Sequence, residues 1–201
     1  MVLERTGFLF EGHTKSSYWV GDEVADDWYY GVTRPYWETW RGRPQHPPDV
    51  VRLVEVTTDN ESALFDLATH KTQENLVAPM CRSFADALFP PEVNGAPVVP
   101  WMRAVVADEE IVGFVMLALR TEHMPEPILW RLLVDRLHQR RGIGGRVLDL
   151  VVEECMKTGD MTFLTIWEEG KGSPRPFYIK HGFEPTGKVI EGQTEARKRL
   201  I

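Results

Sequence analysis

The chain has 201 residues, 43% of them hydrophobic and 26% charged, a length and balance that suit one globular domain with at most an appendage and that bury roughly 70% of the unfolded surface. Its 30 Asp and Glu outnumber its 23 Lys and Arg, for a formal net charge of −7; this excludes a general nucleic-acid surface, which needs clustered basic residues, and permits a cationic small substrate. No apolar run approaches the roughly 20 residues of a membrane span, and the N-terminus lacks the charged-then-apolar order of a signal peptide, so a cytoplasmic location without membrane contact is expected.

The first 45 residues stand apart in composition. Two runs rich in aromatic and β-branched residues, 7–20 and 23–32, flank a turn at Gly21-Asp22-Glu23 and predict a long β-hairpin. Residues 41–50 carry three prolines and no periodicity, and read as a linker. From Val51 the pattern predicts a strand at 51–57, a helix at 60–70 capped by Asn60, and a helix at 83–89 behind Ser83. Strands at 101–108 and 111–119 follow, joined by a tight turn at Asp108-Glu109-Glu110. A Pro-rich loop leads to a strand at 128–135, which alternation divides into Trp130, Leu132 and Val134 on one face and Arg131, Leu133 and Asp135 on the other. A helix with Val147, Leu148, Val151 and Cys155 on one side ends at Gly159. A strand at 161–167, a short helix begun by Ser173-Pro174 and closed by Gly182, and a last hairpin at 187–201 complete the chain. Alternating elements in the middle and hairpins at both ends predict a mixed sheet in an α/β domain.

Cys81 and Cys155 lie far apart, and the six histidines form no pair at i, i+3 or i, i+4 spacing, so neither a disulfide framework nor a metal site is expected. The chemistry concentrates instead at "HQRRGIGG", residues 138–145, directly ahead of an amphipathic helix. Glycines at 142, 144 and 145 let the backbone turn so that free N–H groups point outward at a helix N-terminus, a place that favours phosphate. Arg140, Arg141 and Arg146 would reinforce it. A dinucleotide fingerprint fails because Val147 stands where a third glycine is needed, and a nucleotide P-loop lacks its Gly-Lys.

Gln139-Arg140-Arg141-Gly142-Ile143-Gly144 resembles the Q-x-x-G-x-G signature of the GNAT N-acetyltransferases, and "PFYIKHGFEPTGK" at 176–188 is similar to the family's tyrosine helix and following strand. Residues 51–201 carry the resemblance. It implies a GNAT-like mixed, largely antiparallel sheet with flanking helices, acetyl-CoA as cofactor, and transfer of an acetyl group to an amine. In that family the glycine loop holds the pyrophosphate, which here points to Gln139, Arg140, Arg141, Gly142, Ile143, Gly144 and Gly145. The resemblance further implies pantetheine held by main-chain groups of Leu133 and Val134, with the Val134 N–H facing the thioester carbonyl. Ser173 and Tyr178 complete the expected cofactor set.

Several segments together look like the diamine and spermidine acetyltransferases, making a small-molecule primary amine, a polyamine among them, the expected partner. Tyr178 matches the position of the family's acid for the departing thiolate. The family's frequent glutamate on the strand before the loop is replaced by Trp130, which leaves Glu126 as the candidate base, with Glu122 and solvent as alternatives; Trp101 and Trp130 are candidates for an acceptor cleft. Residues 5–37 resemble the last two strands of a GNAT domain of the ribosomal-protein N-acetyltransferase type. The expected organisation is therefore a β-hairpin arm and linker at 1–45 and an acetyltransferase domain at 46–201. A lone aromatic hairpin is marginal in water, so the arm is expected to extend a sheet edge or to contact a second copy. Non-catalytic acyl-CoA binding and acetylation of a protein amine remain the alternative functions.

Overall fold

A computed structural model describes residues 2–170 and 172–200; Met1, Lys171 and Ile201, the last residue of the hairpin expected at 187–201, lie outside them. Two compact units emerge, one of Met1–Pro44 with His70–Thr72, the other of Gln45–Thr69 with Gln73–Ile201.

The first unit holds a short helix α1 (Val2–Arg5), the hairpin strands β1 (Leu9–Val20) and β2 (Glu23–Gly31), and a helix α2 (Arg34–Gly42). The hairpin closes with Val20 opposite Glu23, so the turn sits at the expected place. Helix α2 takes in only the first two residues of the linker expected at 41–50; the rest of the helix, from Arg34, falls where no helix is expected. Thr33 accepts a bond from the Tyr36 N–H at 3.4 Å, and a proline stands in the first turn, the two signals that start a helix. Glu4 is buried and receives the Thr72 N–H at 3.1 Å and hydroxyl at 2.6 Å.

The second unit is built on a seven-stranded sheet. Its elements in chain order are β3 (Val51–Glu55), α3 (Glu61–Phe65), α4 (Met80–Leu88), the two-residue strands β4 (Glu92–Val93) and β5 (Ala96–Pro97), β6 (Pro100–Ala107), β7 (Glu110–Ala118), β8 (Ile128–Val134), α5 (Ile143–Lys157), β9 (Thr162–Trp167), α6 (Arg175–Lys180), β10 (Glu184–Ile190) and β11 (Gln193–Arg199). The sheet order is β10-β11-β9-β8-β7-β6-β3. Every neighbouring pair is antiparallel except β8 and β9. This is the mixed, largely antiparallel sheet with flanking helices expected from the sequence. Helix α3 ends at Phe65, five residues before its expected end, and Asn60 in its N-cap position makes no side-chain cap bond: that side chain accepts from the Thr57 N–H and donates to the Glu55 carbonyl, bracing the end of β3.

One face of the sheet packs on α5, with Ile143, Val147, Leu148, Val151 and Cys155 buried against Val105, Val112, Val115 and Leu117. The other packs on α3 and α4 through Leu64, Met80, Phe114, Met116 and Leu133. The predicted faces of β8 need one correction. Met116 pairs with Arg131 but Leu117 pairs with Leu129, leaving Trp130 as the extra residue of a bulge. Trp130 therefore leaves Leu132 and Val134, which join the α5 face, and packs with Leu133 toward α4.

Candidate active site

Strands β8 and β9 pair only at Ile128 with Leu164 and at Leu129 with Thr165, then part. Beyond Leu129, β8 thus presents an open main-chain edge in the middle of the sheet. Its polarity is set by a single peptide. A Cβ on Gly113 would stand 2.4 Å from the Leu133 carbonyl oxygen, so that oxygen points into β7; in a trans peptide the Val134 N–H then points the opposite way, into the gap. The Val134 carbonyl is taken by the Gln139 side chain at 3.1 Å, which also donates to Gln73 at 2.8 Å. The Gln139 amide therefore fastens the loop to the strand. Asp135 begins that loop, its buried carboxylate accepting the N–H groups of Ala68 and Leu137, each at 2.8 Å.

The glycine loop follows. Arg140 and Gly142 have φ of +66° and +80°, and α5 starts at Ile143. Among the described residues, no hydrogen bond engages the main-chain N–H of any residue from Gln139 to Gly145. The first N–H groups of a helix have no intrahelical acceptor, and here the loop ahead of them adds more, so seven consecutive donors surround one turn. Gly142 supplies the left-handed turn. Gly144 and Gly145 are needed for packing: a Cβ there would stand 3.3 Å from the Phe177 ring and 2.7 Å from His181 Cε1.

The three arginines divide differently from the expectation that all would reinforce an anion site. Arg141 is buried, donating from Nε to the His46 carbonyl at 2.8 Å and from Nη1 to His138 Nδ1 at 3.0 Å, with Asp108 at 3.4 Å. Because a guanidinium can only donate, His138 Nδ1 accepts in this contact. Arg146 donates to the Pro48 and Asp49 carbonyls at 2.5 and 3.2 Å. Both guanidiniums hold residues 46–49 against the loop, which leaves Arg140, exposed and without a hydrogen-bond partner among the described residues, as the arginine available to an anion at the turn.

Two cavities meet here. The larger, about 620 Å³, is lined by Leu132, Leu133, Val134, the turn at Gln139, Arg140 and Gly142–Gly145, Phe177 and Tyr178. The smaller, about 220 Å³, is lined by Asn75, Trp130, Arg131, Thr165, Glu168, Gln193 and again Leu132 and Tyr178. Of the expected cofactor residues, Leu133, Val134, Gln139, Arg140, Gly142, Ile143, Gly144, Gly145 and Tyr178 line the larger cavity. Arg141 contributes main chain to the same turn. Ser173 adjoins Gly172 and Pro174 of the wall and accepts the Arg175 N–H at 3.2 Å, starting α6.

Tyr178 is shared by both cavities. Its ring stacks on Trp167 with centroids 5.8 Å apart and planes at 11°. Burial pushes its phenol up to about 12, against a smaller opposing effect of the Thr165 hydroxyl. It is a protonated donor throughout the neutral range.

Glu126 lies elsewhere. It lines neither cavity, and its carboxylate takes two bonds from Arg197, at 2.8 and 2.7 Å, and one from Thr162 at 2.5 Å. Partial burial would raise its carboxyl, but those bonds outweigh burial and hold it below the ordinary carboxylate range. Glu122 is exposed. Trp101 packs on the α5-side core under Arg103, whose guanidinium is 4.4 Å from its ring centroid. Sequence reasoning did not single out Asp135, Gln73, Glu168 or the ligand-facing place of Arg131. Asp135 alone carried a local signal, a carboxylate followed two residues later by the N–H it accepts.

Among the described residues no group of His, Cys, Asp and Glu could hold a metal ion, and no helix is long and apolar enough to cross a membrane.

Comparison with known proteins agrees with this geometry. Residues 100–185 match the family model described as an acetyltransferase (GNAT) domain. No curated protein sequence matches the chain. Among solved structures, an acetyltransferase from Thermus thermophilus superposes with a TM-score of 0.56 at 16% identity, covering 74% of this chain and 96% of that one. The PaiA N-acetyltransferase of Thermoplasma acidophilum, solved with coenzyme A, gives 0.54 at 12% identity over 75% of this chain and 99% of that one. The ribosomal-protein-S18-alanine N-acetyltransferase of Escherichia coli gives 0.54 at 15% identity, covering 75% and 94%. Likeness at these identities establishes the fold, and the family match adds that residues 100–185 carry the sequence pattern of a GNAT acetyltransferase domain.

Proposed function

We propose that residues 46–201 form the catalytic domain of an enzyme that moves an acetyl group from acetyl-CoA directly to the primary amine of a small molecule, with residues 1–45 as a separate arm. The observation that carries this reading is the run of unengaged N–H groups from Gln139 to Gly145 beside the open edge of β8. Such a nest at a helix N-terminus matches a diphosphate in charge and in donor direction.

Acetyl-CoA, when bound, supplies the activated thioester. The chain's own groups do the rest. The turn at Gln139–Gly145 binds the diphosphate through main-chain donors, with Arg140 adding charge. The Val134 N–H, aimed into the gap, is placed to polarise a carbonyl lying along β8, the kind of preorganised donor that contributes most to acyl transfer. Tyr178, between the cavities, donates its proton toward the departing sulfur. Leu132 and Tyr178 form the shared wall across which the two reactants meet.

The amine must arrive neutral, and an alkylammonium is neutral in only about one molecule in a few thousand at pH 7. Glu168 is the one carboxylate lining the smaller cavity; it holds the ammonium and passes its proton to solvent. No step is assigned to Glu126, whose lone pairs are engaged. With one lining carboxylate opposed by one guanidinium, the smaller cavity suits a polyamine poorly.

The test is release of free thiol from acetyl-CoA by the purified chain across a panel of amines, rising between pH 7 and 9 as the amine deprotonates. Tyr178→Phe keeps the stacked ring and removes the donor; about a 10- to 1,000-fold fall in kcat with little change in KM is expected. Coenzyme A binding with no thiol release from any amine would make the domain a binding module instead.

A further inference from the structure

Resting on the transfer reading above, the chemistry of the smaller cavity assigns the acceptor's class: we propose that it is a small amino carboxylate, whose carboxylate pairs with Arg131 while its amine faces Tyr178. The bulge at Trp130 is the origin of this arrangement. A regular strand would send Trp130 and Arg131 to opposite faces; the bulge brings both to the α4 side, where they line one cavity.

Arg131 is only partly satisfied. Its Nη2 donates to Asp86 at 3.0 Å and its Nη1 to the Trp130 carbonyl at 2.8 Å, while Nε is buried without a partner. Of five N–H groups, two are thus engaged by recorded bonds. Asp86 does not neutralise it either, because the same carboxylate also takes Arg82 Nε at 2.7 Å. One carboxylate between two guanidiniums leaves a positive surplus at the cavity wall. Burial pulls the Arg131 guanidinium below its ordinary value, the mark of a cation stripped of water that gains from an anion beside it. Among the described residues Glu168 is the sole lining carboxylate and Arg131 the sole lining guanidinium. The cavity therefore carries one charge of each sign, the pattern of a zwitterion, and its volume of about 220 Å³ matches that of roughly seven waters, the size of an amino acid.

The experiment compares thiol release from acetyl-CoA with three series of equal chain length: straight-chain amino carboxylates, their carboxamides, and diamines. A charge-assisted bidentate contact predicts kcat/KM about 10- to 100-fold higher for the carboxylates. Arg131→Gln removes that preference by raising KM for the carboxylates alone; Arg131→Lys retains part of it, and Asp86→Asn strengthens it by freeing the guanidinium. A purely structural Arg131 would lower all three series together and gain nothing from Asp86→Asn. Equal or better turnover of diamines or carboxamides overturns the inference and leaves the transfer reading standing. Absence of thiol release from every compound overturns the transfer reading, and this inference with it.

Discussion

Arg140 and Arg141 are adjacent in sequence, and the structure gives them opposite work, which a pair of substitutions separates. Arg141 is 5% exposed and holds the His46 carbonyl, His138 and Asp108. Arg141→Ala leaves a buried imidazole nitrogen and the His46 carbonyl without a donor, a loss of about 3–5 kcal/mol. For a domain of this size that lowers Tm by roughly 6–20 °C. Arg140 contributes the reverse. Its φ of +66° costs about 1–2 kcal/mol that glycine avoids, against about 0.4–1 kcal/mol of added unfolded-chain entropy. Arg140→Gly should therefore melt at or slightly above the parent temperature while binding coenzyme A about two- to fivefold more weakly, the worth of an exposed ion pair. The affinity gap should widen at low ionic strength. Thermal denaturation without ligand and calorimetric titration with coenzyme A read the two effects separately. An Arg141→Ala protein that melts at the parent temperature, or an Arg140→Gly protein with unchanged affinity, would refute the assignment of one side chain to the scaffold and the other to the ligand.

Gly113→Ala should cost about 1–3 kcal/mol and raise the KM for acetyl-CoA, since its Cβ would meet the Leu133 oxygen at 2.4 Å and tilt the peptide that aims the Val134 N–H; an unchanged KM at full activity would mean that this peptide does not touch the cofactor. Glu126→Gln should lower stability at pH 7 and flatten the acid limb of the stability curve: a carboxyl held low in the folded state contributes above its unfolded pKa and loses that contribution as pH falls through the folded one. The pH–rate profile should keep its shape, and loss of its acid limb would restore Glu126 as the base. Folded-state values raised to about 12 for Cys155 and Tyr178 stabilise the fold below pH 9 and 10 and lose that effect as pH rises toward 12. The two together forfeit roughly 7 kcal/mol, so the urea midpoint should fall steeply between pH 8 and 11.5, less so in Cys155→Ala; a flat profile would contradict the burial of both groups.

Most of the sheet and its loop could be read from residue pattern because the determinants are local. The Gly142 turn, the apolar stripe of α5 and the Asp108-Glu109 turn, where both residues take positive φ, are each set by a few neighbours in the chain. What escaped depends on partners far away in sequence. Nothing near Arg141 reveals that its guanidinium will meet the His46 carbonyl 95 positions earlier, so its charge was read as ligand-facing. Alternation put Trp130 with Leu132, and only the register of β7 shows the extra residue that separates them. Glu126 looked available because its loop is polar; its bonds come from Arg197 and Thr162, on strands that close over it only when the sheet assembles. Helix α2 is a different kind of miss. Thr33 and Pro35 announce it, but the aromatic run to Trp37 reads as part of the hairpin arm and residues 41–50 as a linker.

A division of labour between backbone and side chain follows. On the proposed reading the donors for the diphosphate and for the thioester carbonyl are main-chain N–H groups, and the residues around them shape that chain: Gly142 by its φ, Gly144 and Gly145 by admitting the Phe177 and His181 rings, Gly113 by seating the Leu133 carbonyl, Gln139 and Arg141 by fastening the loop. Backbone donors are present whatever side chains the remaining positions carry, so this half of the site constrains few residue identities. The acceptor half is the reverse. Arg131, Glu168, Gln193 and Asn75 reach the smaller cavity from separate elements, and each could change without disturbing the turn or the gap beside β8. Substitution at those four positions should therefore redirect acceptor choice while coenzyme A affinity stays fixed, whereas changes at the glycines should move both together.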